Sequence, residues 1–75
     1  SRGLGDVYKR QVLHNAMGYA AANGFAVRGL DFSPVKGPEG NIEYLMFVQK
    51  SDEPAVLDDS VAKQVVEASH STLDR

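Results

Sequence analysis

The sequence contains no cysteine, so neither a disulfide nor a Cys-based metal site can form. Proteins without disulfides fit a reducing compartment, and the cytoplasm is the expected location. No apolar run approaches the ~20 residues that a membrane-spanning helix needs. No continuous apolar stretch of the kind found in signal peptides lies near the N-terminus. These absences predict a chain without a membrane partner.

An excess of positive charge is also missing, since the net charge of the 75 residues is −2. A free-standing nucleic-acid-binding domain usually carries a basic face, so the charge argues against that class for this chain alone. The net charge is compatible with a piece of a larger protein whose basic surface lies elsewhere. A single domain of this size buries only ~60% of the surface of its unfolded chain, which predicts marginal stability. No pattern in the sequence indicates an oligomeric state.

The first eleven residues, Ser1–Gln11, differ in character from the rest and resemble a translated sequencing-adapter read-through. The chain also lacks an initiator methionine, as a truncated reading frame would. We therefore predict that residues 1–11 are a non-native extension and that residues 12–75 are the protein proper. The alternative is a genuine basic N-terminal segment. The cations of residues 1–11 are not used as evidence for RNA binding.

Apolar spacing predicts a first helix over Val12–Asn23, ended by a left-handed Gly24. Its apolar stripe consists of Leu13, Ala16, Met17, Ala20 and Ala21. A strand is predicted over Phe25–Phe32, and a second, apolar on both faces except at Glu43, over Ile42–Val48. This second strand is expected to be an inner strand covered on both sides.

A final helix is predicted over about Ser60–Leu73, with Asp58, Asp59 and Ser60 as candidate N-caps. Its apolar stripe is expected to contain Val61, Val65, Ala68 and Leu73, with Val66 beside them. The nine-residue link between the strands suits an antiparallel hairpin, because a parallel crossover needs a dozen or more residues. A two-stranded sheet is marginal in water, so further strands are expected outside this chain.

The link Ser33–Asn41 is the only stretch that suggests chemistry, with two prolines and two glycines in nine residues. Glu43 follows it, and a buried carboxylate needs a polar site or a cationic partner. Placed at the sheet rim, it would lie where α/β folds bind ligands, near Ser33, Lys36 and Asn41. The alternative is an ordinary turn in which Lys36 and Glu43 form a solvated pair. Residue types alone leave both open.

The run Phe32-Ser33-Pro34-Val35-Lys36-Gly37-Pro38-Glu39-Gly40-Asn41-Ile42-Glu43-Tyr44-Leu45 resembles the C-terminal end of the TlyA family. Gly24-Phe25, Gly29-Leu30 and the later Val65–His70 extend the resemblance over nearly all of residues 12–75. Members are FtsJ-like RNA 2′-O-ribose methyltransferases, often labelled hemolysin A. The resemblance implies an α/β fold: the C-terminal helix–strand–strand–helix part, with the last antiparallel strand pair, of a class I S-adenosylmethionine-dependent, Rossmann-like methyltransferase.

The resemblance also implies a Lys-Asp-Lys-Glu catalytic tetrad, and Glu43 matches its final Glu. The other three members, the glycine-rich cofactor turn and the family's small RNA-binding domain have no counterpart in this chain. Ser33 and Asn41 are expected to bind the RNA substrate or to brace the loop. S-adenosylmethionine would be held mainly by the absent part, so no cofactor-binding residue is assigned here. The implied partner is rRNA or a ribosomal subunit.

The prediction is therefore a fragment of an S-adenosylmethionine-dependent rRNA ribose 2′-O-methyltransferase, inactive by itself. The alternative is a non-catalytic RNA- or anion-binding module that uses the backbone amides of the Ser33–Asn41 loop. No metal site is expected, because His14 and His70 fall on different helices without ligands at suitable spacing. A membrane-lytic function has neither a spanning segment nor a basic amphipathic helix to support it.

Overall fold

The computed structural model describes residues 2–74, with side chains from Leu4 onward. Ser1 and Arg75, the outer ends of the predicted segments 1–11 and 12–75, lie outside the described residues. The order helix, strand, strand, helix is confirmed. The elements are α1 (Arg2–Ala22), β1 (Phe25–Phe32), β2 (Tyr44–Lys50) and α2 (Asp59–Leu73).

The two strands form the antiparallel hairpin that the short link predicts. Phe25 lies opposite Lys50 at one end, and Phe32 lies opposite Tyr44 at the other. The register shifts between Val27 and Gly29, a β-bulge that bends the strand locally. β1 has the predicted bounds, whereas β2 begins two residues later than predicted.

The first helix begins ten residues earlier than the predicted start at Val12. No proline interrupts residues 2–11, and side chains of this part contact the far end of α2, so tertiary contacts support the extension. The helix ends as predicted, since Gly24 has a φ of +86° and its amide bonds back to the Ala21 carbonyl. The helical extension does not test whether residues 1–11 are native.

The second helix is capped as predicted, because the Asp58 carboxylate accepts a hydrogen bond from the Ser60 amide at 3.0 Å. Hydrogen bonding to Ser60, through its side chain first and its backbone amide second, lowers the pKa of Asp58. The predicted apolar stripe is wrong by one position, and Ala68 is exposed. The buried face consists of Ala62, Val66, Ser69 and His70.

Both helices pack on one face of the hairpin, which gives a two-layer α/β arrangement. One core cluster contains Leu13, Ala62 and Val66, and the other contains Met17, Ala20 and Val27. Leu30 of β1 packs against both clusters and joins them. We call this side of the hairpin the covered face.

The opposite side of the hairpin, the open face, carries Leu45 and Phe47, which are 45% and 53% exposed. The Phe47 ring lies over Gly29, where an added Cβ would stand 3.4 Å from Cδ2 of the ring. Among residues 2–74, β2 pairs with β1 alone. The expected coverage of the second strand on both sides is therefore absent within this part of the chain.

Candidate functional site

The loop between the strands is closed by backbone hydrogen bonds at its base and at its tip. The Ser33 amide donates to the Glu43 carbonyl at 2.8 Å, which extends the hairpin ladder beyond β2. At the tip, the Gly37 amide donates to the Asn41 carbonyl at 2.7 Å, and the Gly40 amide donates to the Gly37 carbonyl at 3.0 Å. Gly40 has a φ of +81°, a conformation that glycine adopts most readily. The loop is therefore a fixed platform.

Asn41 lies directly against the backbone of Gly37. A Cβ at position 37 would stand 2.6 Å from Asn41 Oδ1 and 2.9 Å from Nδ2, too close for either atom. The glycine thus makes room for the amide side chain, which is exposed on the loop surface. The same contact limits where the Asn41 amide can point.

Glu43 lies in the loop one residue before β2, and not inside the strand as predicted. Its side chain is exposed, so the expected cost of burying a carboxylate does not arise. The alternative of a solvated pair with Lys36 is wrong, because Lys36 has another partner. Within residues 2–74, the Glu43 carboxylate has no hydrogen bond or ion pair.

Lys36 joins the loop to the C-terminal end of α2. Its Nζ lies 2.7 Å from Asp74 Oδ1. The second oxygen of the same carboxylate, Oδ2, lies 2.7 Å from Nδ1 of His70, one helical turn earlier. Asp74 thus bridges the loop and the helix. Hydrogen bonds from Lys36 first and His70 second hold the pKa of the Asp74 carboxyl below its usual range.

His70 is buried, at 6% exposure. Its Nε2 faces α1, where Asp6 Oδ1 and Lys9 Nζ each lie 3.0 Å away. These two partners belong to the segment predicted to be non-native. His70 therefore connects the start of α1 to the end of α2, and Asp74 continues the connection to the loop.

Behind the loop, a polar pair closes the covered face. The Tyr44 hydroxyl lies 2.7 Å from Ser69 Oγ, and Ser69 Oγ donates its proton to the Val66 carbonyl at 2.7 Å. Since the serine proton is used there, the tyrosine hydroxyl donates to Ser69. Burial is the main cause of a raised pKa for Tyr44, and the nearby carboxylates of Asp6 and Asp74 raise it further. Tyr44 is a packing residue of the covered face.

Of the predicted site residues, the structure places Ser33 and Glu43 side by side through their backbones. Asn41 lies two residues from Glu43, against the tip glycine. No hydrogen bond joins the side chains of these three within the described part of the chain. The bridge formed by Asp74 and His70 was not predicted, and its only sequence signal is the i,i+4 spacing of a histidine and a carboxylate.

The described residues do not fit an S-adenosylmethionine site. In such folds the cofactor lies against a glycine-rich turn that leads from a strand into a helix N-terminus. Here β1 leads through the Ser33–Asn41 loop into an antiparallel strand, and α2 follows a connection with a proline and no glycine.

Among residues 2–74, no helix is long and apolar enough to cross a membrane.

The loop, hairpin and helices have counterparts in known proteins. The chain is 37% identical over 65 residues to the Bacillus subtilis (strain 168) protein named "Putative rRNA methyltransferase YqxC". The aligned region covers 83% of this chain and 23% of that protein. Its structure is similar to "Putative hemolysin from Streptococcus thermophilus", with a TM-score of 0.87 and 36% identity over 92% of this chain and 25% of that one. No family model matches the chain.

These two matches, one named for methyltransferase activity and one for hemolysin, carry both labels that the TlyA family bears. The chain fits a fragment of a TlyA-family protein, and it spans about a quarter of the length of the two proteins it matches.

Proposed function

We propose that this chain is the C-terminal part of an S-adenosylmethionine-dependent methyltransferase that modifies the ribose 2′-hydroxyl of rRNA. The observation that supports the proposal best is Glu43. This carboxylate is exposed, has no partner among the described residues and is held beside a closed loop at the rim of the sheet. One relative of this chain bears the name "Putative rRNA methyltransferase YqxC".

The chemistry explains what a carboxylate would do there. A ribose 2′-hydroxyl is a poor nucleophile and must lose its proton as the methyl group is transferred. A lysine with a lowered pKa can accept that proton, and a neighbouring carboxylate can orient the lysine and the hydroxyl. Glu43 would be the orienting member, while the base and the cofactor site lie in the part that this chain does not contain. Ser33 and Asn41 would contact the RNA backbone.

By this proposal the chain is inactive alone, because it supplies one member of a four-residue catalytic group. The partner is rRNA or a ribosomal subunit in the cytoplasm, and S-adenosylmethionine is the methyl donor. Residues 12–75 are the protein's own sequence, and residues 1–11 are an extension that carries no function.

The test is a chimera in which residues 12–75 replace the matching region of the Bacillus subtilis relative. We expect transfer of labelled methyl groups from S-adenosylmethionine to rRNA, and Glu43→Gln should slow it by roughly 10²-fold. Glu39→Gln, another exposed carboxylate of the same loop, is the matched control and should leave the rate unchanged. A chimera that folds and binds S-adenosylmethionine but works equally well with Gln at position 43 would refute the catalytic role.

The alternative of an anion-binding module is weaker on this geometry. Four loop amides, those of Ser33, Val35, Gly37 and Gly40, already donate hydrogen bonds within the loop. They are not available to an anion. The isolated chain should therefore show no salt-sensitive binding of RNA by fluorescence anisotropy, and such binding, lost on mutation of the loop, would favour the alternative.

A further inference from the structure

We infer that Asp74, oriented by His70, is a positioning residue that fixes the loop carrying Glu43 by binding Lys36. This inference deepens the proposed function and depends on it for its role in catalysis. It assigns a task to the C-terminal end of α2, which lies far from Glu43 in sequence.

The first support is geometric. Beyond its own backbone bonds, the loop gains an ionic contact to α2 through Lys36 Nζ and Asp74 Oδ1, at 2.7 Å. Both side chains are about one-third exposed, at 38% and 36%, so water partly screens the pair. A single pair of this kind contributes little to stability, but it selects one orientation for a loop that is already closed. Its effect is expected in loop position and not in the folding of the whole chain.

The second support is the buried histidine behind the carboxylate. Asp74 is at the end of α2, where a helix frays unless it is held. His70 Nδ1 binds Asp74 Oδ2 at 2.7 Å, and the Asp74 amide donates to the His70 carbonyl at 2.9 Å. The imidazole is itself buried, at 6% exposure, so packing limits its movement. The carboxylate that Lys36 meets is therefore placed by a fixed ring.

The third support is the path from Lys36 to Glu43. Lys36 adjoins Gly37, whose amide and carbonyl both make bonds across the loop tip to Asn41 and Gly40. Asn41 is two residues before Glu43, and the Glu43 carbonyl closes the loop base on Ser33. A shift of Lys36 is thus transmitted through bonded backbone to the carboxylate.

The experiment is amide hydrogen exchange by NMR on the labelled 75-residue chain. Asp74→Asn should speed exchange at Gly37 and Gly40 several-fold, while the amides of the core residues Met17 and Val66 exchange as before. Glu67→Gln is the matched control, because it removes a carboxylate on the same helix whose partner, Lys63, lies 4.0 Å away and outside the loop. It should leave the loop amides unchanged.

A charge swap separates positioning from a general structural effect. Lys36→Asp combined with Asp74→Lys should return loop exchange toward the original values, whereas each single change alone should not. Unchanged loop exchange in Asp74→Asn would overturn the inference, as would equal acceleration in the loop and the core. If an Asp74 variant unfolds, Lys36→Met removes the same ion pair from the loop side.

In the chimera, Asp74→Asn should lower kcat for methyl transfer with little change in KM for rRNA, and the swap should restore it. A chimera that is inactive with its original residues would refute the proposed function, while the exchange results would still decide on the positioning contact. The two failures are therefore distinguishable.

Discussion

The covered and open faces of the hairpin differ in what holds them, although they belong to the same two strands. The covered face meets two helices, and helix residues in the core against it are almost fully buried, such as Met17 at 1% and Val66 at 0% exposure. The open face presents Leu45 and Phe47 to solvent, with the aromatic ring over Gly29. Within residues 2–74, the hairpin therefore packs against helices on one face, and its other face has no packing layer.

The largest expected effect is loss of packing on the covered face. Met17→Ala removes most of a fully buried side chain and should cost about 2–5 kcal/mol of unfolding free energy, measured by urea denaturation followed by circular dichroism. For a domain of this size, such a loss removes most of the folded population. Tyr19→Ala on the same helix, at a site 75% exposed, is the control and should change the value by less than about 0.5 kcal/mol. Equal effects of the two changes would contradict the two-layer core.

A smaller effect is expected at the polar pair of the covered face. Tyr44→Phe removes the hydroxyl that donates to Ser69 and should lower the unfolding free energy by about 0.5–1.5 kcal/mol. Ser69 keeps its bond to the Val66 carbonyl, so no buried donor is left without an acceptor. Tyr8→Phe, at a tyrosine that is 70% exposed, is the matched control. If both variants unfold at the same urea concentration, the hydroxyl pair contributes nothing.

Lowering the pH should reduce the folding stability that the two ends of α2 contribute. Asp58 and Asp74 have a pKa below the ordinary value of 3.8 in the folded chain, so the folded state binds fewer protons than the unfolded state near that pH. Their contribution is present above the unfolded pKa and is lost as the pH falls through the folded values. The urea midpoint should therefore fall as the pH is lowered from about 5 through 3.8 and below.

The control for the acid effect is the double variant Asp58→Asn with Asp74→Asn. It should show a flatter midpoint-against-pH curve over the same range. Curves of identical slope would mean that other carboxylates carry the acid sensitivity.

The smallest effect is expected on the open face. Phe47→Ser should change the unfolding free energy of this chain by about 0.5 kcal/mol or less, because the residue stays half exposed in the folded chain. It should also raise solubility, since exposed apolar patches promote association. Met46→Ser, the neighbouring residue on the covered face, should cost clearly more.

In the chimera, Phe47→Ser and Met46→Ser test whether the open face is covered by other parts of the protein. If the rest of the protein covers the open face, Phe47→Ser becomes costly there, and the difference between positions 46 and 47 shrinks. An unchanged difference would mean that the open face stays exposed in the longer protein.

Local signals predicted much of this fold. Gly24 and Asp58 mark helix boundaries because a positive φ and a cap hydrogen bond each involve only a few adjacent residues. The bounds of β1 and the antiparallel hairpin followed from apolar patterning and link length. The family relation followed from the ungapped loop run, and the two matches confirm it.

Long-range polar contacts were beyond such signals. His70 is buried because Asp6, Lys9 and Asp74 surround it, and nothing in the local pattern of α2 distinguishes it from an exposed residue. The apolar spacing of the same helix therefore predicted a buried face one position away from the one observed. Lys36 was paired with Glu43, seven residues away, whereas its partner Asp74 is 38 residues away.

Gly37 shows how such a site responds to mutation. A single-base change in a glycine codon, where it alters the residue, always gives one with a Cβ, and at position 37 that atom would collide with the Asn41 amide. Position 37 is half-buried at the loop tip, away from both core clusters, so the collision displaces Asn41 while the helices stay packed. By the proposed function, random mutagenesis should recover inactive but folded variants at this codon, and a screen for expression alone would pass them all.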